Sequence, residues 1–120
     1  KRRELSAAVG KALAAYRASK AGPEAIAADF ARVSDWTRRH DIPAKRIVLG
    51  EFGVFREGAD PAARLAVLRA TREAAEAAGF SWAVYTAGLT EAGRSFAVIG
   101  DGATLALDPA VKAALGLTAP

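Results

Sequence analysis

The chain has 120 residues, a formal charge of +4, 52% hydrophobic residues and no cysteine. That length fits one domain with a real core, about two-thirds of the unfolded surface becoming buried. The composition excludes a disordered tail, a disulfide framework and a thiolate metal site, and with His40 the single histidine a multi-histidine metal site is excluded as well.

The segment Glu4 to Ser19 is Ala-rich, with Leu5, Val9, Leu13 and Tyr16 at helical spacing, and predicts an amphipathic helix. Ala21-Gly22-Pro23 ends it and opens a second helix, to about Arg39. Ile26, Phe30 and Val33 form the apolar face of this helix, and Trp36 packs at its edge. His40-Asp41-Ile42-Pro43 closes it, because the residue before a proline avoids helical angles. His40 reads as a C-terminal residue facing the helix dipole, not as a base or a ligand.

Arg46 to Phe52 follows as a strand. Its apolar residues run without alternation into Gly50-Glu51-Phe52-Gly53, the pattern of a parallel strand buried on both faces. After a loop containing Arg56 and Glu57, Asp60-Pro61 starts a third helix, Asp as N-cap and Pro in the first turn. Leu65, Leu68, Ala75 and Ala78 point inward from it, and Gly79 stops it. Phe80 to Tyr85 is a second strand, so strand, helix and strand make a βαβ unit. Beyond a polar loop from Thr86 to Ser95, the apolar runs Phe96–Ile99 and Thr104–Leu107 flank Gly100-Asp101-Gly102 and predict a small hairpin. Asp108-Pro109 repeats the cap-and-proline start, and a short helix reaches Leu115.

Glu51 is the candidate for chemistry. A carboxylate at the carboxyl end of a buried parallel strand sits where α/β folds place their active sites, and a buried unpaired acid is costly enough to need a use. The bland alternative is a Glu that caps a loop or pairs with an Arg. The positive charge is scattered along helices among Asp and Glu, so a solvated surface explains it better than a nucleic-acid site. No apolar run approaches a membrane span, and the basic start lacks the apolar core and cleavage site of a signal peptide. Two parallel strands also leave two apolar edges without protective Lys, Pro or inward charge. The chain therefore reads either as part of a larger sheet or as a small α/β interaction domain that associates through its strand edges.

The succession RRHDIPAKRIVLGEFGVFR, GFSWAVYTAG, SFAVI and LDPAVKAALGL, from about Phe30 to Leu117, resembles the carboxyl-terminal part of the cellulase-type enzymes of glycoside hydrolase family 5. The Gly-Glu-Phe-Gly motif is the most specific element of that resemblance. It implies an α/β fold, the C-terminal half of a (β/α)8 TIM barrel, with residues 1–120 carrying barrel strands seven and eight; a whole barrel takes about 250 residues. It implies a retaining hydrolase that acts on a β-glucan or similar polysaccharide without a cofactor or metal, in a secreted or periplasmic setting. Glu51 matches the nucleophile, and Tyr85 stands where the family usually carries a Trp that forms a floor for the sugar. Trp82, three residues earlier, is a second candidate contact, although odd spacing along a strand puts it on the other face and favours a core role. Arg56 is a possible loop contact to sugar hydroxyls. The family's proton donor follows an Asn, and this chain has neither Asn nor Gln. The resemblance thus makes the amino-terminal half of the barrel the required partner and the isolated chain inactive.

Overall fold

A computed structural model describes residues 2–19, 21–88, 96–99 and 106–117. The elements in chain order are α1 (Arg2–Ala18), α2 (Pro23–Arg39), a 3-10 turn (Ala44–Arg46), β1 (Val48–Phe52), α3 (Pro61–Ala77), β2 (Ser81–Val84) and α4 (Pro109–Ala114). β1 and β2 are parallel neighbours joined through α3. The chain is thus α/β, with two parallel strands and flanking helices.

Local sequence explains the helix ends. Asp60 accepts a hydrogen bond from the Ala63 N–H at 2.8 Å at the start of α3. Asp108 accepts from Ala110 and Val111 at the start of α4. Both use a carboxylate on backbone donors that lack helical partners. Three helices end on the same device, a left-handed residue followed by a 6→1 backbone bond. Asp41 (φ 52°), Gly79 (φ 73°) and Gly116 (φ 64°) occupy the left-handed position. The paired bonds run from Ile42 N–H to Thr37, from Phe80 N–H to Ala75 and from Leu117 N–H to Lys112. α2 is therefore closed by Asp41 in a left-handed turn as well as by the proline two residues on. His40 is the C-cap, with its ring 5.0 Å from Trp36.

The core lies on one side of the sheet. Leu68 of α3 and Val111, Ala114 and Leu115 at the end of the chain are buried with Val98, and Phe52, Val54, Leu65, Trp82, Val84 and Leu107 pack against them. Phe30 of α2 meets Phe80 at 6.0 Å. The described residues leave the other side of the sheet uncovered: Val48 is 61% exposed, and Gly50, Ser81 and Ala83 are exposed with it. The expectation of a strand buried on both faces is corrected accordingly. β1 is apolar on both faces, but the described residues cover only one.

Other expectations shift as well. Arg46 belongs to the 3-10 turn rather than to β1, and Phe80 and Tyr85 flank β2. Val33 does not point inward; the inner face of α2 runs through Ile26, Phe30, Ser34 and Thr37, leaving Val33 and Trp36 exposed. The stripe Val9, Leu13 and Tyr16 of α1 is exposed too. Near the carboxyl end, Ile99 and Leu107 form an antiparallel bridge, whereas the hairpin turn at Gly100-Asp101-Gly102 and residues 104–105 lie outside the described residues.

Candidate active site

The register of the two strands determines where Glu51 points. Leu49 pairs with Trp82 and Phe52 pairs with Val84. Two residues, Gly50 and Glu51, thus stand on β1 where Ala83 alone stands on β2. In strict alternation Glu51 would share the face of Leu49 and lie beneath α3, where an unpaired carboxylate is expensive. The extra residue acts as a bulge: it carries Glu51 to the uncovered face and returns Phe52 to the helix side. There the Phe52 ring meets Trp82 edge-on at 5.8 Å.

Tyr85 follows β2 on the uncovered side and is 37% exposed. Its N–H donates to the Phe52 carbonyl at 2.7 Å, extending the ladder past the last residue of the strand. Its ring packs edge-on against Phe96 at 5.5 Å. The structure thus brings Glu51 and Tyr85 to the same face and the same end of the sheet. Gly53 makes the approach of the two strand ends possible. A Cβ there would lie 2.2 Å from the Tyr85 carbonyl oxygen, closer than any side chain tolerates.

Trp82 does not join them. Its indole N–H donates to Glu76 Oε1 of α3 at 3.2 Å, and its ring packs into the helix-side core. Alternation along β2 explains this, and the packing of Trp82 against the core agrees with the role that odd spacing favoured over a sugar contact. Arg56 lies in the exposed loop after β1, where its Nη1 reaches the Ile99 carbonyl at 3.4 Å.

Arg64, inside the third helix of the succession that carries the family resemblance, has no role assigned from the sequence. This residue is only 8% exposed, on the same stripe of α3 as Leu68 and Ala75. Its Nε donates to the Val54 carbonyl at 3.3 Å and its Nη2 to the Ala97 carbonyl at 2.8 Å. One guanidinium therefore ties the loop after β1 to the segment after β2. Burial, and then the neighbouring Arg56, lower the pKa of Arg64, while Asp108 acts in the opposite sense. An Arg in register with an apolar helical stripe was the available signal. Among the described residues, no cluster of three or more His, Cys, Asp or Glu side chains is placed to hold a metal ion, and no helix is long and apolar enough to cross a membrane.

Neither a protein-family model nor a curated protein matches the chain. Solved structures do. The chain is similar to a hyperthermophilic endo-β-1,4-glucanase in complex with substrate, at 34% identity and a TM-score of 0.61. It is similar to an endoglucanase at 32% identity and 0.61, and to the cellulose synthase subunit Z of Clostridioides difficile at 30% identity and 0.63. Each match covers 78% of this chain but only 27%, 28% and 28% of the respective structure. The chain thus spans a little over a quarter of the proteins it resembles, and among them are two endoglucanases.

Proposed function

We propose that this chain is the carboxyl-terminal part of a retaining β-glycanase of glycoside hydrolase family 5, with β1 and β2 as strands seven and eight of a (β/α)8 barrel. The observation that carries the reading is the bulge at Gly50-Glu51, which turns a carboxylate out of the helix-packed face and onto the uncovered one, at the end of the sheet where Tyr85 emerges. Similarity to endoglucanases supports it, and a β-1,4-glucan is the substrate class that follows.

In the proposed reaction the Glu51 carboxylate attacks the anomeric carbon. A carbon–oxygen bond to Glu51 forms as the glycosidic bond breaks, and the departing oxygen takes a proton from a second carboxylic acid. That acid lies outside this chain and must stand about 5 Å from Glu51. Water, giving its proton back to the same second group, then hydrolyses the glycosyl ester and restores both carboxyls. Tyr85 offers an aromatic floor and a hydroxyl to the sugar next to the cleaved bond, and Arg56 offers a donor from the loop. Without the partner half of the barrel the chain has a nucleophile but no acid, and is inactive.

The test uses the complete polypeptide that carries this segment. Glu51→Gln is expected to lower turnover of an aryl β-cellobioside by about a thousandfold or more. A 2-deoxy-2-fluoro cellobioside with an activated leaving group is expected to leave its sugar on the peptide containing Glu51, read by mass spectrometry. Turnover near wild type in Glu51→Gln, or a label on another residue, removes Glu51 from the role.

A further inference from the structure

Resting on the glycanase reading above, we propose that Phe55 is a sugar-contacting residue, and that Phe55, Phe96 and Tyr85 together form one aromatic platform for the glucan chain. The three rings are contiguous. Phe96 stands edge-on to Phe55, with centroids 5.4 Å apart and planes at 75°, and edge-on to Tyr85 at 5.5 Å and 67°. Phe96 is half-buried between two partners that stay accessible, Phe55 at 44% and Tyr85 at 37%. Edge-to-face contact with one neighbour leaves much of an aromatic ring free for another partner. A pyranose ring presents C–H groups on its faces and hydroxyls around its rim, so exposed aromatic faces suit it where isolated charges do not. Phe55 has no polar atom and can only meet such an apolar face, whereas Tyr85 can also hydrogen-bond.

The backbone on which these rings sit is anchored from beneath. Arg64 donates to the carbonyls of Val54 and Ala97, the residues next to Phe55 and Phe96 in sequence. Arg56, on the other side of Phe55, donates to Ile99. An exposed phenyl ring held in this way loses little freedom when a ligand covers it. Arg64 is thus a positioning residue for the platform, acting through the backbone of both segments.

The experiment compares Phe55→Ala, Phe55→Leu and Phe55→Trp in the complete polypeptide, measuring kcat and KM on cellohexaose and the thermal midpoint of each variant. Phe55→Ala and Phe55→Leu are expected to raise KM about three- to tenfold, with kcat little changed and the midpoint close to wild type, while Phe55→Trp keeps KM low. Unchanged KM in both Ala and Leu variants overturns the platform. So does a collapse of the midpoint in both that Phe55→Trp shares, because Phe55 is then a covered core residue. Phe55→Leu retains side-chain volume without an aromatic face, so it separates stacking from packing even if Phe55→Ala fails to fold. If Glu51→Gln is inactive while Phe55 is neutral, only the platform falls; if Glu51→Gln is active, the glycanase reading falls with it.

Discussion

Gly53 is the residue on which the geometry of the candidate site turns. A Cβ added there meets the backbone of Tyr85, not the tip of a movable side chain, so nothing can give way cheaply. Phe52 and Tyr85 are joined by a backbone hydrogen bond at the same point, and a wedge between the strand ends strains that bond. Gly53→Ala is therefore expected to cost about 3 kcal/mol of stability, read as a lower urea midpoint, whereas Gly50→Ala, with open space where its Cβ would go, is expected to leave the midpoint nearly unchanged. Equal tolerance of both substitutions contradicts the close approach of the two strands. The motif Gly-Glu-Phe-Gly was legible as a motif, but the different duties of its residues were not. An uninterrupted apolar run hides the period-2 signal, so the extra residue at Gly50-Glu51 and the face that Glu51 takes appear only once β1 is set against β2. Arg64 was hidden for the opposite reason: a charged residue in a helix is read as solvent-facing, and its acceptors lie 10 and 33 residues away in the chain.

Helices and strands were far more legible, because their ends are chosen by nearby residues. Asp-Pro at two places, and Gly79 and Gly116 behind apolar stretches, mark where α3 and α4 begin and end through capping bonds that span only a few residues. The inner face of α2 was less legible. Val33 and Ser34 lie on adjacent positions of one turn, and packing against α3 selects the line through Ser34 and Thr37. α4 tests the capping argument most sharply. It is six residues long, too short to persist by itself, yet it supplies Val111 and Ala114 to the core. Asp108 satisfies two of its first N–H groups, so Asp108→Ala is expected to lower the stability of the chain by about 1 kcal/mol. Asp108→Asn, which keeps the acceptor, should lose much less. Denaturation midpoints of the two variants check this, and an equal loss in both would assign the effect to the charge of Asp108 beside Arg64 instead.

At the scale of the whole molecule, the apolar surface is distributed as in part of a larger sheet. The Cα radius of gyration is 17.0 Å, against about 14 Å for a compact chain of this length, and the shortest extent is 23 Å against 50 and 45 Å for the others. An apolar groove bounded by Phe30, Val33, Ile47, Val48, Leu49 and Phe80 lies beside β1, whose second edge has no partner strand among the described residues. A parallel strand fits that edge: its ladder would satisfy the unpaired backbone groups of β1, and its side chains would extend the face that α2 leaves half covered. Exposed edges and apolar patches of this kind drive association when left open. The isolated 120-residue chain is accordingly expected to bind the dye ANS and to sediment as concentration-dependent oligomers. If the chain is part of a barrel as proposed, the complete polypeptide is expected to show neither property, because further strands would then occupy the edge. A sharp, concentration-independent monomer of the isolated chain, without dye binding, would mean that the two-stranded sheet is sufficient by itself. The uncovered face bearing Glu51 would then be an ordinary solvated surface rather than one wall of a barrel.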